Sequence, residues 1–296
     1  MNPAEDKMEA SKIAKYYNKL EDLKVRCYLC PHNCVISNGK LGVCKVRKNI
    51  EGDLYSLNYG KITALALDPI EKKPLYNFKP GANILSVGTF GCNFKCSFCQ
   101  NWEIAHQKPE VYNITPESLV SKAKELKCNK NIGIAYTYNE PSIWYEFVYD
   151  TARLAKKEGL SNVLVTNGFI SKEAVTDILP FIDAMNIDIK AYTASFYNDI
   201  CKGTLEDVKA TVELVHNYCH VEITTLVIPT LNDALAEISD MSRWISSLSP
   251  KIPLHLSRYF PNYNMKNIPP TPKEVLVKCR EEALGYLENV YLGNVL

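Results

Sequence analysis

Three cysteines in the stretch GCNFKCSFCQNW (residues 91–102) are separated by three residues and then two: Cys92, Cys96 and Cys99. Metals held by thiolates ordinarily take four ligands, and no fourth cysteine stands beside these. Three thiolates so close can hold three corners of one [4Fe–4S] cube, leaving the fourth iron free for a ligand from outside the protein. The alternative is a zinc site completed by His106, since zinc accepts three cysteines and a histidine; the x3,x2 spacing is atypical of zinc knuckles. A second group, Cys27-x2-Cys30-x3-Cys34-x9-Cys44, supplies four thiolates on the Gly- and Asn-containing stretch CYLCPHNCVISNGKLGVC. Four cysteines form a complete shell for zinc or for an iron–sulfur cluster, and spacing does not choose between them. His32 lies inside the group as an alternate ligand. The other four of the eleven cysteines, Cys128, Cys201, Cys219 and Cys279, stand alone and read as small buried hydrophobes.

The elements that must position these groups begin at residue 84. Apolar runs ILSVGTF (84–90), IGIAYTY (132–138), NVLVTNG (162–168), AMNIDIKAY (184–192), VEITTLVIP (221–229) and PLHLSRYF (253–260) predict strands buried on both faces. The stretches between them, PESLVSKAKELK, PSIWYEFVYDTARLAKKEG, SKEAVTDILPF, LEDVKATVELVHNY and DALAEISDMSRWISSL, predict helices, several with cap-like starts. Six strand–helix units with right-handed crossovers make an α/β fold, an open or partial (βα)6 barrel. Ahead of it, KIAKYYNKLEDLKV within the first twenty-odd residues has helical spacing and predicts a short helix. The expected organisation is an amino-terminal helix, four-cysteine module and short strands over 1–80, the barrel over 81–260, and a last helix and strand over 261–296.

In such barrels functional groups gather at the carboxyl ends of the strands. The first strand runs into the three-cysteine loop, the second into Asn139-Glu140-Pro141 and the third into Thr166-Asn167-Gly168. The fourth carries Asp188 and Lys190, and the sixth His255, Ser257 and Arg258. Carboxylates, bases and hydrogen-bonding groups thus converge on one face, as a catalytic site requires.

Composition removes several functional classes. The 296 residues are 46% hydrophobic with a formal net charge of +1, which leaves no electrostatic footprint for nucleic acid or an anionic membrane. No run approaches ~20 apolar residues, so no membrane span is expected. The opening MNPAEDKMEASKIAKYY lacks the apolar core of a secretory signal. A soluble cytoplasmic protein is expected, and in that reducing compartment clustered cysteines point to metal rather than disulfides.

The CxxxCxxC loop after the first barrel strand, with the aromatic Phe98 before its last cysteine, resembles the signature of radical S-adenosylmethionine (SAM) enzymes. The resemblance implies that the amino and carboxylate groups of SAM fill the vacant corner of a [4Fe–4S] cluster. An electron passed into the sulfonium then releases a 5′-deoxyadenosyl radical that takes hydrogen from a substrate. Glu140, in Tyr138-Asn139-Glu140-Pro141, occupies the place of the family's Gly-Gly-Glu motif, which holds the methionine amino group; here both glycines are replaced. Asp188-x-Lys190 resembles the Asp-x-Lys of glycyl-radical-enzyme activases, with Lys190 suited to the methionine carboxylate. Thr166 and Asn167 would reach the ribose or methionine, and His255 and Arg258 the carboxylate or the substrate.

Over nearly the whole chain, CYLCPHNC, GKLGVCKVRKN, GDLYSLNYGKITALALDPIEKKPLYNFKPG, SVGTFGCNFKCSFCQNWEIA and PLHLSRYFPNY are similar to radical SAM members of the AmmeMemoRadiSam system, relatives of pyruvate formate-lyase activating enzyme. Implied partners are a low-potential electron donor such as flavodoxin or ferredoxin and a glycyl radical enzyme as protein substrate. A radical SAM enzyme acting on a small molecule or peptide is the second expectation, and a non-catalytic iron–sulfur or zinc protein the third.

Overall fold

The computed structural model describes residues 12–295. Its centre is an eight-stranded sheet whose strands follow one another in chain order. They are β1 (Ala64–Pro69), β2 (Asn83–Gly88), β3 (Asn131–Tyr136), β4 (Ser161–Thr166), β5 (Ala184–Asp188), β6 (His220–Val227), β7 (Leu254–Arg258) and β8 (Val290–Gly293). From β2 to β8 all neighbours are parallel, and β1 joins the edge antiparallel to β2. Six of these strands are the six expected from apolar runs. β1, read as part of the amino-terminal module, belongs to the main sheet.

Because side chains alternate across a strand, each strand has a helix-covered face and a concave one. Helices α1 (Trp102–His106), α2 (Pro116–Glu125), α3 (Tyr145–Lys157), α4 (Lys172–Ile178), α5 (Leu205–Val215), α6 (Leu235–Leu248) and α7 (Lys273–Leu284) occupy the connections. α2 starts at Pro116, with the Thr115 hydroxyl accepting from the amide of Ser118, and Ser171 caps α4 in the same way. The helix-covered face contributes Ile134, Tyr136, Leu164, Met185, Ile187 and Ile223 to the main core, each at most 7% exposed.

The concave face has a separate, smaller core. Ile84, Ala135, Val163 and Ala184 meet Ile70, Leu75 and Phe78 from the segment joining β1 to β2. That segment crosses the amino ends of the parallel strands. Asn186 Nδ2 donates to Pro74 O, and the amides of Tyr76 and Asn77 donate to the Glu222 carboxylate. Tyr291 in β8 donates to Asn77 Oδ1, so the sheet curls until its last strand touches the connection that follows its first. Apolar filler thus closes the amino end of the concavity and leaves its carboxyl end to polar groups.

Among the described residues the predicted amino-terminal helix does not form: residues 1–11 lie outside them, and KIAKYYNKLEDLKV (12–25) makes short strands, Lys12–Ile13, Tyr17–Lys19 and the start of Val25–Cys27, in two small antiparallel sheets. Tyr16, Asp22 and Leu23 have φ of +59°, +56° and +56°, which no right-handed helix accommodates. Tertiary contacts outweigh the weak helical spacing: the Tyr16 ring packs edge-on against Tyr145 of α3, and its hydroxyl donates to Asp177. Of the lone cysteines, Cys201 and Cys279 are buried and Cys219 partly so, whereas Cys128 is exposed, contrary to expectation. Among the described residues no helix is long and apolar enough to cross a membrane.

Candidate active site

The three-cysteine loop leaves the carboxyl end of β2. Gly91, which opens it, has φ +88°, and a Cβ there would lie 2.6 Å from Val46 Cγ1 and 2.8 Å from Cys44 O. The loop therefore packs directly on the four-cysteine module, and only glycine fits at the contact. Asn139 holds the other side: its Oδ1 accepts from the amide of Thr89 at 3.1 Å and its Nδ2 donates to Gly91 O at 2.9 Å. Tyr138 beside it has φ +72°, the left-handed region that the family's glycine would enter freely.

Cys92, Cys96 and Cys99 lie close together: the Cys96 and Cys99 thiols raise the pKa of Cys92, and Cys96 that of Cys99. Cys92 Sγ accepts from the amide of Phe94 at 3.4 Å and from Asn167 Nδ2 at 3.8 Å, the arrangement that suits a thiolate. Burial first, then the nearby Glu140 carboxylate, pushes the Cys92 thiol well up. Burial and Cys96 push Cys99 to about 11. Metal binding must therefore displace these protons, and a cationic centre supplies the compensation.

Asp188 and Lys190, at and just beyond the end of β5, reach the same place. Lys190 Nζ donates to Asp188 Oδ2 at 2.7 Å, and the pair acts electrostatically on Cys96 and Cys99. Burial alone would lower the Lys190 pKa; Asp188 and then Cys96 more than reverse this, so the ammonium is held charged. The Lys190 amide is held by the Tyr197 hydroxyl and its carbonyl by Asn232 Nδ2.

Glu140 is only 2% exposed, and its carboxylate is already engaged. Oε1 accepts from Thr166 Oγ1 and the Ser142 amide, and Oε2 from the Asn167 amide. Burial raises its pKa against those hydrogen bonds. Glu140 and Thr166 thus clamp the end of β4 and place Asn167, whose Nδ2 donates to Asn93 Oδ1 at 2.8 Å and also reaches Cys92 Sγ. Phe98 is a core residue, 4% exposed and packed on Phe196.

His255 and Arg258 do not join the cluster loop, contrary to expectation. His255 sits on the concave face near the amino-terminal filler: its Nε2 lies 2.6 Å from Glu222 Oε2, and its ring packs between Tyr76 and Tyr291. Glu222, which the apolar run concealed, takes four donors, from the amides of Tyr76 and Asn77 and from His220 and His255. Arg258 is three residues further on, so the pleat turns it to the opposite face, where Nε donates to Thr271 O.

Cys201 was also missed. It ends a single π-turn, Tyr197–Cys201, and its thiol is hydrogen-bonded to Cys96, the leading cause of the raised Cys96 pKa. π-turns inside helices often mark functional sites, but no sequence spacing links residue 201 to residue 96.

The four amino-terminal cysteines likewise face one another: Cys30 feels Cys44, Cys27 and Cys34, after burial as the largest influence. The module is tied to the cluster loop by His32 Nε2, 2.8 Å from Asn93 O. Among the described residues no three or more His, Cys, Asp or Glu side chains are drawn to the spacing that would hold a metal ion.

Comparison with known proteins agrees with this geometry. The model of the radical SAM superfamily matches residues 86–242. The chain is 45% identical over 291 residues, 95% of its length and 85% of the relative's, to an uncharacterised protein of Methanocaldococcus jannaschii. It is 27% identical over 178 residues, 57% of its length and 72% of the relative's, to the pyruvate formate-lyase-activating enzyme of Clostridium pasteurianum. In fold it resembles Streptococcus suis SuiB bound to S-adenosylmethionine, with TM-score 0.56 and 12% identity over 71% of this chain and 51% of that one. QueE from Escherichia coli is similar at TM-score 0.51 and 13% identity, covering 80% and 94%. The chain belongs to the radical SAM superfamily, whose cofactors are a [4Fe–4S] cluster and S-adenosylmethionine.

Proposed function

We propose that this chain is an activating enzyme that uses SAM to remove a hydrogen atom from a glycine of a partner protein. The observation that carries the reading is the convergence of Cys92, Cys96 and Cys99 with Asn167 and the Asp188–Lys190 pair at one end of the sheet. The donor set fits the cofactors: three buried thiols, amide donors aimed at the Cys92 sulfur, and a cation held charged beside Cys96. Bound there, the cluster and SAM supply a carbon radical by one-electron cleavage of the sulfonium C–S bond.

The residues have separate tasks. Cys92, Cys96 and Cys99 hold three irons, and Lys190, steadied by Asp188, offers its ammonium to the methionine carboxylate. Asn167 orients the Cys92 sulfur, with Glu140 and Thr166 fixing Asn167. Asn139 sets the height of the loop. The apolar filler around Ile84, Ala135 and Val163 excludes water from below. Relatives named as glycyl-radical or pyruvate formate-lyase activating enzymes support the choice of a protein glycine. We assign Cys27, Cys30, Cys34 and Cys44 to a second metal site, for zinc or an iron–sulfur cluster, because four thiols that act on one another form a complete ligand shell.

Anaerobically reconstituted protein given dithionite and SAM should form 5′-deoxyadenosine and contain about four irons with zinc in the amino-terminal site, or about eight with a second cluster there. Cys96→Ala should abolish cleavage, and Cys30→Ala should lose only the amino-terminal metal. A partner labelled with α-deuterated glycine should pass deuterium into 5′-deoxyadenosine. Cleavage that draws its hydrogen only from a small molecule would overturn the choice of substrate but not the radical chemistry.

A further inference from the structure

Beside the cluster loop lies a cavity of about 790 Å³, bounded by the four-cysteine module, the start of the loop and the end of α1. Lys45, Lys48, Lys61, Lys108 and His106 line it, and among the described residues no Asp or Glu does. Leu41, Leu57 and Phe90 supply an apolar wall. The volume lies within the range of small-molecule sites, ~300–1,000 Å³.

Among the described residues no carboxylate pairs with Lys45, Lys61, Lys108 or His106. Both ring nitrogens of His106 are buried without a hydrogen-bond partner, although the ring packs against Tyr263. Lys45 Nζ reaches only the His106 carbonyl oxygen, at 3.3 Å. Lys61 and Lys108 make no ion pair among the described residues. Lys95 adds a third buried nitrogen without a hydrogen-bond partner, and it and Lys45 both act on His106. Buried polar atoms are nearly always satisfied, and like charges crowded without an anion cost stability. The cavity is separate from the cofactor residues: Asn167, Asp188 and Lys190 do not line it, and Gly91 is its nearest approach to Cys92.

We propose that this cavity binds a small organic anion, a carboxylate or phosphate on an apolar or aromatic body, with Lys45, Lys61, Lys108 and His106 around the acidic head. A head group there would accept hydrogen bonds from the lysines and from a protonated or suitably tautomeric His106, while Leu41, Leu57 and Phe90 cover the body. The assignment does not depend on which hydrogen atom the enzyme removes.

Calorimetric titration of the reconstituted protein, with SAM saturating the cofactor site, tests it using phenyl phosphate, benzoate, inorganic phosphate and neutral benzyl alcohol. The expected result is one site for phenyl phosphate or benzoate, weaker binding of inorganic phosphate and none of the alcohol. The stronger of the two aromatic anions identifies the head group. Lys61→Gln and Lys108→Gln, both outside the core, should each weaken binding about tenfold, and His106→Gln should weaken it further. Three results would overturn the proposal: no binding of either aromatic anion, equal binding of the neutral alcohol, or binding unchanged in all three variants. Displacement of SAM by phenyl phosphate would assign the anion to the cofactor site and overturn it as well.

Discussion

Glu146→Gln would strand a buried guanidinium where the amino-terminal module meets α3. Arg47 and Glu146 are 1% and 2% exposed, with Nη2 and Oε1 2.6 Å apart. The pair also orders the chain entering the module: Arg47 Nη1 donates to Lys15 O at 2.7 Å, and the Lys15 amide donates to Glu146 Oε1 at 2.8 Å. Arg47 Nη1 lies 4.0 Å from Cys27 Sγ, so the same guanidinium touches the four-cysteine group. Arg47 Nε and Glu146 Oε2 have no hydrogen-bond partner among the described residues, so Glu146 is the one carboxylate that balances the guanidinium. Breaking a buried pair on one side costs ~3–5 kcal/mol. At 1.4 kcal/mol per factor of ten, the module should open on the order of 10²–10⁴ times more often in the variant. Hydrogen exchange read by mass spectrometry should show this as lost protection over 12–27 and 46–56, with β4 and β5 unchanged. Replacing both residues by methionine should recover most of the loss, because buried pairs are often no better than well-packed apolar side chains. Unchanged protection in Glu146→Gln, or a double variant no better than the single, would refute the claim that this pair docks the module.

Other outcomes follow from single contacts. Burial alone would raise the Glu222 pKa, but the bonds from His220, His255 and the Asn77 amide outweigh it and hold the carboxyl at about 2 against its usual 4.5. A depressed carboxylate stabilises the fold fully above pH 4.5, and the gain is lost as pH falls toward 2. Denaturant titrations of the metal-free chain should therefore lose ~3 kcal/mol across that window, and Glu222→Gln should remove that part of the slope. Asn139→Ala leaves the Thr89 amide and Gly91 carbonyl without their partner, at ~1–3 kcal/mol each. It should weaken SAM binding at least tenfold by equilibrium dialysis while iron content holds; unchanged binding would deny Asn139 its positioning role. Cys201→Ala should keep the SAM-induced change in the electron paramagnetic spectrum of the cluster; loss of that change together with iron would make Cys201 a ligand.

Local information was enough for the parts of the site that are local. The x3,x2 cysteine spacing, the Asp188-x-Lys190 pair and the Asn139-Glu140 turn each lie within a few residues, and each apolar run long enough to be buried became a strand. Alternation of those runs with capped helices specified parallel neighbours in chain order, because a right-handed crossover returns the chain beside the strand it left. The sequence alone therefore determined the superfamily, the sheet and the position of the cluster loop.

What a residue does at a strand end was decided by folding. Glu140 became a clamp because Thr166 and Asn167 arrive from another strand to fill its oxygens. His255 was taken by Glu222, and Arg258 was turned outward by the pleat. Cys201 met Cys96 from about a hundred residues away, and KIAKYYNKLEDLKV gave up its helical spacing to pair with strands and pack on Tyr145. Hydrogen bonds and charge pairs act over a few ångströms of space, whatever the distance along the chain. Spacing could therefore name the residues able to do chemistry, and only the tertiary structure could assign each one its partner.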